Sequence, residues 1–293
     1  MVNRGSFAAV LGIAAVLMTP MQGTASQGHI AAKDNAVRKM NVSGRQRMLT
    51  QRMSMALCFA STGQDRDRFR SVARTTSDLF AKSQTALRDG DLTDSMLPEE
   101  EPGILAELSK VETLWAEFYP IVQSGLDSDL SAEGLQRLSD QNVPLLTQAN
   151  SAVSAFEQHL TGVDQDPELK STINVAGRQR MLSQKAAKEL CFIFQNVNAE
   201  AHRAALRTTI DAFDQAIQDL LFGNTAAGVM APPTDQILWQ YDTLYQSWQD
   251  ISSIYHNAAN GGSVSAQDMK RVAAYVDRIL KEANSAVSMY QEL

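Results

Sequence analysis

The stretch "NVSGRQRMLTQRM", Asn41 to Met53, carries three arginines and no acid in a chain of formal net charge −7. A second copy, "NVAGRQRMLSQKA", runs from Asn174 to Ala186. Shifting the sequence by 133 positions superposes Asn41–Phe59 on Asn174–Phe192, with 12 of 19 positions identical. The same shift pairs "FRSVARTTSDLF" (from Phe69) with "HRAALRTTIDAF" (from His202), and Gly90 with Gly223. "VETLWAEF" (from Val111) meets "YDTLYQSW" (from Tyr241), and "ANSAVSAF" (from Ala149) meets "ANSAVSMY" (from Ala283). Such self-similarity marks a duplicated unit. The two copies are placed at 26–162 and 163–293.

Each copy divides into four helical stretches: 34–60, 66–89, 103–123 and 131–160, then 167–195, 199–221, 234–257 and 265–292. The breaks carry turn chemistry, as in "STGQD" and "NAANGGSVS". Asp166-Pro167-Glu168 is a helix start, with a capping acid, proline in the first turn and a second acid suited to the helix dipole. Long helices joined by short loops predict an all-α fold, two tandem antiparallel up-down four-helix bundles that can pack as a pseudo-dimer. Pro144 falls inside the fourth stretch, where it is expected to kink the helix or mark its start.

The N-terminus reads as an export signal. Arg4 precedes the apolar run "FAAVLGIAAVLM", then Pro20 and small residues up to Ala25, so 1–25 is assigned as a signal peptide cleaved after Ala25. The run is shorter than the ~20 residues a membrane span needs. An uncleaved anchor is the alternative. Removing 1–25 takes away one charge, Arg4, and leaves −8. A chain this acidic does not suit non-specific nucleic-acid binding, so its cationic segments are local sites.

On a helical wheel, Gly44, Met48, Gln51, Met55 and Cys58 share a stripe, and Arg45, Leu49, Arg52, Ala56 and Phe59 the adjacent one. Arg47 points elsewhere on this reading. The second copy repeats the pattern with Gly177, Met181, Gln184 and Cys191 beside Arg178, Leu182, Lys185 and Phe192. Between Asp34 and Asp65 there are five cations and no acid, and the same holds between Glu168 and Glu189. Helix surfaces usually mix signs. Two readings stand: these cations pair with acids on other helices, or they hold an anion. Glycine inside a helix costs about 1 kcal/mol against alanine, so Gly44 and Gly177 suggest close approach of a backbone or a ligand.

The run Asn-x-x-Gly-Arg-Gln-Arg-Met-Leu-Ser/Thr-Gln, present twice, resembles the signature helix of PilJ/NarX-like sensor domains, found outside the membrane in pilus chemotaxis transducers and nitrate/nitrite-sensing kinases. The resemblance implies a four-helix bundle that pairs through its first helix, with a small anion held between the two first helices by a glycine backbone and an arginine from each. Carried onto this chain, the ligand-binding set is Gly44, Arg45 and Arg52 with Gly177, Arg178 and Lys185. Asn41, Arg47, Met48, Asn174, Arg180 and Met181 are secondary candidates. Lys185 departs from the pattern, since lysine lacks the planar fork of arginine. The same geometry would bring Cys58 and Cys191 together near a twofold axis; the alternative is two buried thiols.

The expected function is that of an exported, periplasmic sensor module that captures a small anion, a nitrate/nitrite-like oxyanion or a carboxylate, and presents it to a membrane-bound sensor or transducer. The sequence shows no downstream span or output region of its own. The alternative is a ligand-free adaptor. Enzyme activity, a cofactor, a metal site and a nucleic-acid partner are not expected. The four histidines are scattered, and no nucleophile triad or phosphate loop is legible. "PEEEPG" (98–103) reads as a solvated loop, and Trp115, Trp239 and Trp248 as core. Monomer and homodimer both remain open.

Overall fold

The computed structural model describes residues 30, 32–159 and 166–293. The signal segment lies outside the described residues. Eight α-helices form the described chain: α1 (Ala32–Ser61), α2 (Arg66–Asp89), α3 (Pro102–Asp127), α4 (Ala132–His159), α5 (Pro167–Phe194), α6 (Ala199–Phe222), α7 (Asp235–Ala259) and α8 (Ala266–Gln291). None is long and apolar enough to cross a membrane.

Helix boundaries follow local chemistry. Asp166 accepts a hydrogen bond from the Glu168 N–H ahead of Pro167, and Ser265 and Asp268 form a reciprocal capping box. Gly90 and Gly223 end α2 and α6 at φ 82° and 77°. A side chain at Gly90 would also meet the backbone nitrogen of Pro98 at 2.7 Å. After each glycine the chain makes the same turn, Asp91 bridging to Met96 and Asn224 to Val229.

Each repeat closes as an up-down bundle, α1 against α2 and α4 and α5 against α6 and α8. The bundles join along α1 and α5. These two helices present a continuous buried face because both are flanked on several sides. Met53, Met55, Ala56, Leu57, Cys58 and Phe59 are all buried, as are Ala186, Ala187, Leu190, Cys191 and Phe192. The Cys58 and Cys191 sulfurs are at bonding distance, 2.10 Å, and tie the repeats covalently.

Three expectations change. α4 runs unbroken through Pro144, held on both sides by Leu138, Asn142, Leu145 and Leu146 in the core. Trp239 is 69% exposed, whereas Trp248 is buried. The acidic loop is not simply solvated. Glu99 makes a buried ion pair with Lys39 at 2.8 Å, and Glu101 caps α3 by accepting from the Gly103 N–H.

The repeats differ where polar groups replace apolar ones. Lys188 stands where the first copy has Met55, and its ammonium donates to Gln51 Oε1 and Asn142 Oδ1, both at 2.8 Å. Burial lowers its pKa to about 8. His202 stands where the first copy has Phe69; it stacks on Phe192 and shares a 2.8 Å hydrogen bond with Ser139. Burial, then Lys188 and Lys185, push His202 down to about 4.

His202 therefore makes stability acid-sensitive. Between pH 6.5 and 4 the unfolded chain binds a proton there that the native chain refuses, so stability falls as pH drops through this window. The depression is worth about 3 kcal/mol. His202→Phe, which restores the residue of the first copy, should remove most of this loss. Denaturant titrations at pH 7 and pH 4 measure it, and an unchanged pH dependence in the variant would count against the assignment.

Candidate functional site

Equivalent residues of α1 and α5 face each other at both ends of the contact. Near one end, Arg47 Nη2 donates to Asn174 Oδ1 at 3.3 Å and Arg180 Nη1 to Asn41 Oδ1 at 3.4 Å. Near the other end lies the cysteine pair. Reciprocal contacts of this kind define an isologous interface, here within one chain. The two helices run parallel about a local twofold axis. Val37, Gly44, Gln51 and Cys58 mark the seam on α1 at seven-residue spacing, and Lys170, Gly177, Gln184 and Cys191 mark it on α5.

A cavity of about 350 Å³ opens at the arginine end of this seam. Gly44, Gly177, Arg47, Arg180, Asn41 and Asn174 line it in matched pairs. Met40 with Ile173 and Val153 with Val287 supply apolar walls. Each arginine also donates through Nε to the carbonyl of the glycine three residues earlier, at 3.4 Å in both copies. That bond turns the guanidinium back along the helix and across the glycine, where no side chain blocks it.

Both guanidiniums are buried, Arg47 at 8% and Arg180 at 6% exposure. Among the described residues neither is ion-paired to a carboxylate. Their partners are neutral amides and carbonyls. Burial lowers the pKa of each to about 10; Glu157 partly offsets this for Arg47, while Arg47 and Arg45 add to it for Arg180. They remain cationic at neutral pH. Two buried like charges bonded only to neutral groups are unfavourable; Glu157, reached from Arg47 through Asn174, offsets only part of this, and an anion on the axis between them would relieve both.

Of the residues assigned the leading role from sequence, Gly44 and Gly177 line this cavity, whereas Arg45, Arg52, Arg178 and Lys185 lie elsewhere. Arg52 turns to α8, where it donates to Asp277 at 2.6 Å, and also to Gln184 on α5 at 2.8 Å. Arg68 shares Asp277 at 2.6 Å. Burial alone would raise the Asp277 carboxyl; the two arginines outweigh it and hold it below its usual range. Lys185 is occupied by Glu189 at 2.5 Å and Thr209 at 2.6 Å. Arg45 reaches Ser83 on α2 at 3.2 Å, and Arg178 is exposed. Arg45 and Arg52 border a second cleft on the α2–α8 side, with Met48. Met181 is buried, outside the lining of the axial cavity. The axial set is thus Gly44, Gly177, Asn41, Asn174 and the two arginines first placed as secondary, Arg47 and Arg180.

A family model described as "Type IV pili methyl-accepting chemotaxis transducer N-term" (PilJ) matches residues 30–140 and again 163–263. The chain belongs to the PilJ family. The methyl-accepting chemotaxis protein McpN of Pseudomonas aeruginosa is 32% identical over 118 residues, covering 40% of this chain and 21% of McpN. The chain therefore matches about a fifth of that relative's length. The solved ligand-binding domain of McpN, titled as a nitrate receptor, is 28% identical, with a TM-score of 0.35, covering 42% of this chain and 94% of that one. The two family matches fall on the two sequence repeats, so this chain carries the PilJ region in tandem.

The glycines give a direct check on the pocket. A methyl group built at Gly44 meets only Arg47 Nη2, at 3.6 Å. Gly44→Ala should therefore fold and gain up to about 1 kcal/mol of helix stability, while the methyl group intrudes on the cavity. Thermal unfolding with and without ligand separates the two effects. A variant that is more stable yet responds less to anions is expected; a destabilised variant with full response would place the ligand elsewhere.

Proposed function

We propose that this PilJ-family chain is a periplasmic sensor module that captures one small anion between α1 and α5 and presents the bound state to a membrane-bound transducer. The observation that carries this reading is the pair of buried guanidiniums of Arg47 and Arg180, neither in direct contact with a carboxylate among the described residues, aimed across Gly44 and Gly177 into one cavity. Arginine suits a planar oxyanion because its N–H groups form a rigid fork. Nitrate is a natural first candidate, since the matched McpN domain is titled a nitrate receptor. Small carboxylates present the same trigonal edge.

Export through a cleaved leader would place the chain where a Cys58–Cys191 bond persists. The role is binding, not catalysis. One chain would supply both halves of the site, so anion capture would need no second copy.

The adaptor reading draws on Arg52 with Asp277, which ties α1 to α8, and Lys39 with Glu99, which ties α1 to the loop before α3, both without a ligand. It leaves Arg47 and Arg180 unexplained.

Thermal unfolding against nitrate, nitrite, sulfate, phosphate and small carboxylates, with chloride at matched ionic strength, tests the proposal. A ligand at 100 times its Kd stabilises by about 2.7 kcal/mol. A selective upward shift supports capture. No shift with any anion would transfer the proposal to the adaptor.

A further inference from the structure

The cavity is symmetric in its arginines and asymmetric beside them. On one side Arg180 donates to Asn41, whose Nδ2 donates to Gln291 Oε1 at 3.4 Å. On the other, Arg47 donates to Asn174, whose Nδ2 donates to Glu157 Oε1 at 2.9 Å. Glu157 and Gln291 occupy equivalent positions after "NSAVS" in α4 and α8. The same relay therefore ends in a carboxylate on one side and a neutral amide on the other. Glu157 is half-buried, and both it and Gln291 line the cavity. The hydrogen bond from Asn174 is the only one its side chain makes among the described residues.

An acid at the rim of an anion pocket opposes a simple oxyanion. It suits a ligand that carries a cation beside its carboxylate. One side-chain amide, that of Asn174, spans the gap between the Arg47 guanidinium and Glu157, so the two charges of such a ligand need to be only a few atoms apart. Size points the same way. Water takes about 30 Å³ in the liquid, so a cavity of about 350 Å³ is far larger than a four-atom nitrate requires. The remaining walls are mostly apolar, Val37, Met40, Val153, Ile173 and Val287, with Lys170 and Ser171 among them; the Lys170 ammonium donates to the Glu157 backbone carbonyl at 3.4 Å and leaves its carboxylate free of that contact.

Building on the anion-capture reading, we propose that the pocket takes an α-amino acid with an apolar side chain. Its carboxylate lies on Arg47 and Arg180, its ammonium on Glu157, and its side chain on the Val153–Val287 wall. Gln291 on the mirror side offers no second carboxylate, so the ligand binds in one orientation.

The test is calorimetric titration of residues 26–293 with L-leucine, 4-methylpentanoate (leucine without its amine) and nitrate, repeated on Glu157→Gln. Gln291 already places a glutamine at the equivalent position, and a melting curve checks that the variant folds. In the wild type, leucine should bind about tenfold or more tighter than 4-methylpentanoate, the value of one charge-assisted bond. Glu157→Gln should erase that preference by weakening leucine alone. Wild-type binding of nitrate or 4-methylpentanoate equal to or tighter than leucine would overturn the amino-acid assignment while leaving anion capture intact. Equal tightening of all three ligands in Glu157→Gln would reduce Glu157 to a counter-ion and also overturn it. No binding of any of the three would overturn this assignment and count against anion capture itself.

Discussion

Replacing Arg47 and Arg180 together with alanine is expected to abolish anion binding altogether. Each guanidinium would contribute charge-assisted hydrogen bonds worth about 1.5–3 kcal/mol apiece. Losing one arginine should weaken binding by about tenfold or more, and losing both should remove it from the measurable range. The singles should be of similar severity, because the two arginines make matching bonds across the axis. Stability without ligand should change little. Removing two buried like charges is favourable, while losing their packed stems is not. Arg52→Ala should behave differently, breaking the contact with Asp277 and leaving the axial pocket in place. Melting curves with and without ligand distinguish the two classes. Strong loss of binding in Arg52→Ala with no loss in Arg47→Ala would return the site to the α2–α8 cleft.

The second large effect is on folding. Cys58 and Cys191 close a loop spanning 133 residues and join two bundles that otherwise meet chiefly along α1 and α5, with polar contacts from α1 and α2 to α8 and from α4 to α5 and α6. Cross-links over loops of this length contribute about 4–5 kcal/mol in the chain-entropy account, and measured values are commonly 2–4. Substituting both cysteines by alanine should therefore cost about 3–5 kcal/mol, seen as a lower denaturant midpoint. The buried apolar residues of both repeats form one continuous core, so the transition should stay single while its midpoint falls. A midpoint unchanged from the wild type would mean that α1–α5 packing alone sets the coupling.

Much of this architecture was legible in the residues. The offset of 133 positions, the paired glycines after α2 and α6 and the "NSAVS" helices located two bundles and nearly all their boundaries. Periodicity could not say which flank of the glycine stripe faces the partner helix. Arg47 lies about 60° to one side of Gly44 and Arg52 about 80° to the other. Only the packing of α1 against both α5 and α8 decides between them: α8 presents Asp277 to Arg52, whereas α5 presents Asn174 to Arg47. Glu157 and Gln291 were missed for a related reason. They lie on α4 and α8, more than 100 residues from the arginine of their relay. The signal available was the Glu157/Gln291 exchange three residues after the "NSAVS" match, which is followed by the reverse exchange at Gln158/Glu292. Trp239 misled because helical spacing alone cannot separate a core stripe from an exposed one.

The central claim is that two repeats in one chain build one anion site on their shared axis. Isothermal titration of residues 26–293 with the best ligand of the panel measures it through stoichiometry. One ligand per chain, weakened about tenfold or more by Arg47→Ala or Arg180→Ala alone and lost in the double variant, is the predicted result. Two ligands per chain, or one that survives both substitutions, would contradict a shared site and place the anion within the separate bundles.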